Sequence, residues 1–138
     1  MAKQGILVAR TLVLDCEGLS KAALNDRTMQ LHLVHAKRRS TNVVVSAVTL
    51  TELLRGGPRD AAIHRVVKRM NVKELTLELA RHAGELLGTN GFTSEAAIDA
   101  MVAATALSEP RPVLILTSDP KDLRALTQGE PGVSVASV

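Results

Sequence analysis

Val113-Leu114-Ile115-Leu116-Thr117, running straight into Ser118-Asp119-Pro120, is the stretch on which the fold turns. Four apolar residues in succession lack the polar alternation of a half-exposed strand. They describe a strand buried on both faces, and such strands belong to parallel sheets covered by helices. The same pattern stands near the start of the chain, where the apolar run 6–14 ends at Asp15 and a buried strand is expected over 11–15. Thr41 to Ser46 reads as a further buried strand, Val72 to Leu77 as another, and Val133 to Ala136 as an edge strand.

Between these runs the chain carries helical signals. Gly18 to Asn25 reads as a short helix, and Asp26 is a fitting cap for a longer one through Arg39. A helix over Thr49 to Arg55 is stopped by Gly56-Gly57-Pro58, and Arg59 to Met70 repeats its apolar positions at helical spacing. Glu78 to Leu87 is a helix closed by Gly88. Thr93 or Ser94 caps a helix through Leu107, which Pro110 and Pro112 end, and Asp119 to Leu126 is a short last helix. Strands alternating with helices predict a three-layer α/β/α fold around a mainly parallel sheet of four to five strands, in one domain spanning 1–138.

Composition narrows the function. The chain has 138 residues, 46% hydrophobic and 22% charged, enough for a core without staples. Its one cysteine, Cys16, cannot form an internal disulfide. A short polar start, Met1 to Gly5, and no apolar run near membrane-spanning length lead to the expectation of a cytoplasmic protein with no membrane contact. One Phe and no Tyr or Trp exclude the aromatic platforms of base-stacking single-strand binders and RNA-recognition sheets. Any nucleic acid must therefore be held chiefly through its phosphates. The formal charge of +3 is unevenly spread. Residues 27–73 carry ten Lys and Arg against Glu52 and Asp60, and residues 74–138 carry four against nine acids. A basic stretch beside an acidic one suits a polyanion held near a cation, or two differently solvated helical surfaces.

Four acids stand out. Asp99 lies in Ala96-Ala97-Ile98-Asp99-Ala100-Met101-Val102-Ala103, with no cation one turn away, so a buried carboxylate there needs a proton, a partner across the fold or a metal. Asp15 ends the first strand, where it also suits a helix cap. Glu52 closes Thr49-Leu50-Thr51-Glu52, which matches a capping box. Asp119 precedes Pro120, as a cap before Pro at the first helical position does, and Asp122 follows one turn later. In a parallel sheet, ligands bind beyond the carboxyl ends of the strands where the strand order reverses. Acids gathered there repel by roughly 4 kcal/mol per pair at about 4 Å and an effective dielectric near 20. An all-oxygen set favours Mg²⁺ or Mn²⁺ over zinc. The four histidines and Cys16 have no zinc spacing, and no glycine-rich phosphate loop follows either strand.

Leu12-Val13-Leu14-Asp15, Ser46 to Gly56 (S-A-V-T-L-T-E-L-L-R-G), Ala97 to Ala106 (A-I-D-A-M-V-A-A-T-A) and Leu116 to Leu123 (L-T-S-D-P-K-D-L) together resemble a PIN domain, in particular a bacterial VapC-type toxin ribonuclease. The resemblance implies a parallel sheet with Asp15, Glu52, Asp99 and Asp119 at its carboxyl edge, and Mg²⁺ or Mn²⁺ held by Asp15, Asp99 and Asp119. It implies endonucleolytic cleavage of RNA, a homodimer, and a cognate antitoxin as silencing partner. Within that reading Glu52 orients or deprotonates a water, and Thr117, Ser118 and Asp122 support the site. Arg55, Arg59, Arg65, Lys68 and Arg69 guide the RNA backbone. One departure is specific to this chain: Cys16-Glu17 follows the first Asp where many relatives carry a small hydroxyl or polar residue, leaving Glu17 as a fifth acid or a surface charge.

Three rivals share parts of this pattern. A phospho-receiver module needs an acceptor Asp after its third strand and a Lys ending its last, and neither Leu75 to Leu79 nor Val133 to Val138 supplies one. A catalytically degenerate PIN domain binding RNA or protein would not need the four acids. A metal-dependent phosphatase for small substrates leaves the basic stretch unused.

Overall fold

A computed structural model describes residues 9–138; the polar start and the first three residues of the apolar run 6–14 lie outside the described residues. Five strands form one sheet: β1 Thr11–Leu14, β2 Asn42–Ser46, β3 Asn71–Lys73, β4 Val113–Thr117 and β5 Val133–Ser137. Every neighbouring pair is parallel, and the order is β3-β2-β1-β4-β5. The helices are α1 Cys16–Ala23, α2 Arg27–Arg38, α3 Ala47–Leu53, α4 Asp60–Val67, α5 Leu77–Thr89, α6 Ala97–Leu107 and α7 Pro120–Leu126, with a 3₁₀ turn at Ser94–Ala96 before α6.

Alternation along the strands sorts the core into two layers. Val13, Val44, Val113 and Ile115 pack with residues of α5, α6 and α7, among them Ala83, Val102, Ala103, Leu123 and Leu126. Leu12, Leu14 and Leu116 face the other way, onto Ala22 of α1 and Met29 and Ala36 of α2. Val45 completes that face with Leu19, Ala23 and Ile63 from α1 and α4. The expected three-layer α/β/α arrangement is therefore the one observed. The chain builds outward from β1 through β2 to β3, then returns across α5 and α6 to place β4 on the other side of β1. Strand order reverses between β1 and β4, which makes their carboxyl ends the switch point.

Several boundaries differ from the sequence reading. The third strand stops at Lys73 instead of reaching Leu77, because the Thr76 hydroxyl accepts the Leu79 N–H and starts α5 there. The first helix begins at Cys16, two residues before Gly18, with Asp15 as its cap. The third helix begins at Ala47: Ser46 caps it, and Thr49 is buried and donates to the Ser46 carbonyl oxygen. The capping box over Thr49 to Glu52 does not form. Glu52 instead lies within α3 and is exposed. The helix read over Arg59 to Met70 is confined to Asp60–Val67. Asp60, buried at its start, accepts the N–H groups of Arg55 and Gly56 at 2.7–3.2 Å and so fixes the corner between α3 and α4. Among the described residues no helix is long and apolar enough to cross a membrane.

Candidate active site

Asp15 hangs from the end of β1, buried, its Oδ1 accepting the Gly18 N–H at 2.8 Å. The cap and the strand-end position thus coexist in one residue, since only one carboxylate oxygen is taken by the helix. Burial pushes the Asp15 carboxyl above its usual range. Hydrogen bonds from the Thr117 hydroxyl and the Gly18 N–H offset this in part, and the nearby charge of Glu17 adds to the rise. Gly18 is what lets α1 start so close to β4. A Cβ there would stand 2.9 Å from the Leu116 carbonyl oxygen and 3.4 Å from Asp15 Oδ1, and the first contact is with backbone that cannot swing aside.

Asp119 lies two residues past β4. It occupies the cap position of α7 with Pro120 at the first helical position, yet its carboxylate makes no capping hydrogen bond and is exposed. Its own N–H is held by Thr117 Oγ1 at 3.1 Å. Asp99, in the first turn of α6, is half-buried, and its carboxyl is raised to about 6. Burial is the largest cause, followed by the charges of Asp15, Asp122, Glu52 and Asp119. Carboxylates from α6, β1, α7 and α3 therefore lie within one electrostatic field, although they are widely separated in sequence. None of them is ion-paired: among the described residues the salt bridges are Lys73 with Glu109 and Arg111 with Glu130. The acids share this field without closing into a cage. No three His, Cys, Asp or Glu side chains among the described residues converge tightly enough to hold a metal as they stand.

The supporting residues divide. Thr117 is buried at the centre, tied to Asp119 and reaching Glu17 Oε1 at 3.5 Å. Ser118 turns away toward the Val138 carbonyl oxygen, also at 3.5 Å. Asp122 is half-buried in the first turn of α7, and its charge acts on Asp99. Cys16 is held as a neutral thiol. Burial, then Glu52 and Asp15, push it up to about 12, so no soft thiolate joins the oxygen donors at neutral pH. His32 and His35 both lie on α2, and burial with the neighbouring His35 lowers His32.

The five cations do not stay together. Arg55 follows α3 and folds onto that helix's last carbonyls, at Thr51 and Leu54, and Arg59 is exposed just before α4. Arg65, Lys68 and Arg69 line a groove of about 890 Å³ at the start of β2 and β3, with Asn42 and Asn71 in its wall. In a parallel sheet that is the amino edge, opposite the acids. Lys37 joins their rim, and Leu33, Val34, Val66 and Met70 give the groove apolar walls. Two residues escape a reading of the sequence as organisers, Gly18 and Asp60. An isolated glycine at a helix start and an Asp two residues after Pro58 are the only signals they give.

A doubly wound parallel sheet with unpaired acids at its switch point defines the class. The PIN-domain family model matches residues 20–127, and the chain belongs to that family. Asp15 lies just before the matched span, at the end of β1. No curated protein matches the sequence. Among solved structures, the fold resembles VapBC2 from Rickettsia felis bound to a promoter DNA fragment, with TM-score 0.72, 14% identity, and coverage of 93% of this chain and 98% of that one. It also resembles DNA-bound VapBC from Salmonella typhimurium (TM-score 0.67, 18% identity, 92% and 97% covered). A third likeness is to VapBC-5 of Mycobacterium tuberculosis, a toxin-antitoxin system (TM-score 0.55, 23% identity, 94% and 99% covered).

Proposed function

We propose that this chain is a divalent-metal-dependent endoribonuclease acting as the toxin of a toxin–antitoxin pair. The observation that carries the reading is the set Asp15, Glu52, Asp99, Asp119 and Asp122, five carboxylates that act on Asp99 or are Asp99 itself, with none of them ion-paired among the described residues. Such a set is costly alone and fits a hard cation, since every available donor is oxygen and the one nearby thiol stays protonated. Asp15, Asp99 and Asp119 are the residues to hold Mg²⁺ or Mn²⁺. When bound, the ion supplies charge neutralisation at the phosphate and lowers the pKa of an adjacent water. Glu52, exposed on α3 and within the field of the cluster, would be the residue to orient a water there and accept its proton. Thr117 fixes Asp119 through its N–H, and its hydroxyl counters the rise that burial imposes on the Asp15 carboxyl. Asp122 adds charge behind Asp99.

RNA is the proposed substrate because the chain has cations for phosphates and no aromatic platform for bases. Arg55 and Arg59, on the corner that Asp60 fixes, are nearest in the chain to Glu52 and form the proposed entry for the backbone. The groove on the opposite edge, apolar below and cationic at the rim, suits an amphipathic acidic segment of an antitoxin. The active form is proposed to be a homodimer, sharing exposed apolar side chains such as Leu24, Leu31 and Leu77.

With Mn²⁺, the purified protein is expected to cut a structured RNA internally, leaving 5′-phosphate and 3′-hydroxyl ends. Asp15→Ala or Asp99→Ala should slow cleavage by about 10²–10³-fold or more while RNA affinity survives. Wild-type speed in Asp99→Ala would remove the assignment. No cleavage of any RNA under any divalent metal would instead favour a degenerate PIN domain that only binds.

A further inference from the structure

On one side the sheet ends at β5, whose only neighbour is β4. Two bonds at the ends of the strand fix which way its backbone faces. Val113 N–H donates to the Gly132 carbonyl oxygen at 2.8 Å, and Val138 N–H donates to that of Thr117 at 2.9 Å. Even-numbered residues thus turn to β4, and the N–H and C=O groups of Val133, Val135 and Ser137 face outward. Among the described residues one side chain is bonded to that outward row: Arg124, whose Nη2 donates to the Val135 carbonyl oxygen at 3.1 Å. Strand edges are ordinarily blunted by charge, proline or a covering element. Val133-Ser134-Val135-Ala136-Ser137 carries neither charge nor proline, which leaves Arg124 as its guard.

Beside the strand lies a cavity of about 260 Å³, walled by Arg124, Thr127, Glu130 and Pro131 together with Val133 and Val135. Its two charges are not equivalent. Glu130 is held by Arg111 at 3.0 Å, whereas Arg124 is exposed and belongs to neither salt bridge among the described residues. An outward row of backbone groups, space beside alternate side chains and a free cation are the parts of a strand-addition site.

We propose that the β5 edge takes up an extended segment of another protein as a sixth strand, selected by an Asp or Glu that faces Arg124. Backbone bonds to Val133, Val135 and Ser137 hold the segment. Its acid draws Arg124 off the Val135 carbonyl, and apolar side chains two residues to either side face the cavity. A second copy of this chain fits poorly, since two β5 strands paired antiparallel about Val135 bring both Arg124 guanidiniums together. The edge and the cationic groove at β2 and β3 stand at opposite ends of the strand order, so no part of this rests on the nuclease reading.

The probe is a labelled, end-capped peptide with valine, glutamate and valine at alternate positions and threonine between them. It is titrated into the full chain by fluorescence anisotropy, with amide hydrogen exchange followed by NMR. Binding should slow exchange at Val133, Val135 and Ser137, and leave Ser134 and Ala136, already bonded to β4, unchanged. A copy of the probe with lysine in place of glutamate should bind at least about tenfold more weakly, and Arg124→Glu should reverse that preference. Equal affinity for the two probes, binding that leaves the three outward amides untouched, or no binding of either would each overturn the proposal. Exchange at those amides that slows with rising protein concentration and no probe present would give the edge to a second copy instead.

Discussion

Asp99 sits in a helix turn flanked by Ala96, Ala97, Ile98 and Ala100, and its carboxyl is raised from 3.8 to about 6 by burial first and by four neighbouring acids second. Between those two values the folded chain holds the proton more tightly than the unfolded chain does. Stability of the metal-free protein should therefore fall as pH rises through that window, with the penalty complete above about 6. Asp15, also raised, works in the same direction. Asp99→Asn should flatten this decline and raise the melting temperature at pH 7 in EDTA, read by thermal denaturation across pH 4–8. A variant no more stable than wild type at pH 7 would mean that the acids are farther apart than their mutual effect implies. Asp99 is the acid most legible in sequence, because an apolar surround leaves a carboxylate few roles. Glu52 is the least legible. Its position in Thr49-Leu50-Thr51-Glu52 spells a cap, and only the prior claim of Ser46 on the helix start releases it. Asp119 is a third case, in which the cap position is legible while the carboxylate itself stays unbonded.

The same contest between local signals decides the elements. Buried strands β1, β2 and β4 are plain from their unbroken apolar runs, and burial on both faces explains why. β3 looks longer in sequence than it is because Val72, Leu75 and Leu77 space themselves much as strand residues do. Residues Leu75 and Leu77 are exposed in the fold, so no sheet rewards the pattern, and the Thr76 cap wins. At α1 the deciding contact is invisible in sequence: how near the helix comes to β4 depends on tertiary packing, and only Gly18 permits it. Gly18→Ala should force α1 outward at its first turn, costing about 1–3 kcal/mol as overpacking against rigid backbone. Denaturant unfolding would measure that loss, and an unchanged midpoint would show that α1 can slide freely. The shift also moves the Gly18 N–H that fixes Asp15, so Mn²⁺ affinity should fall with stability.

Across the whole molecule, charge is divided by the sheet. The basic stretch 27–73 looks like one patch in sequence, but only part of it, Lys37, Arg65, Lys68 and Arg69, lines the groove at the start of β2 and β3. Arg55 folds onto the end of α3 and Arg59 stands at the start of α4, while Arg65, Lys68 and Arg69 reach the far edge. Replacing Arg55 and Arg59 with Ala should lower the slope of log RNA affinity against log salt by about 1–2, at roughly 0.7–0.9 for each phosphate no longer neutralised. Replacing Arg65 and Arg69 should leave that slope unchanged in a filter-binding titration. Equal effects would return all five residues to one RNA track. The groove's placement also sets a length requirement. A partner seated on the amino edge leaves the acids open to solvent, and reaching them means passing a five-residue strand such as β2, a span of roughly 16 Å at about 3.3 Å per residue. On the proposed function, a tether of about five extended residues is the shortest that would let a partner seated in the groove cover the acids, and a shorter one should leave a bound complex whose RNA cleavage persists.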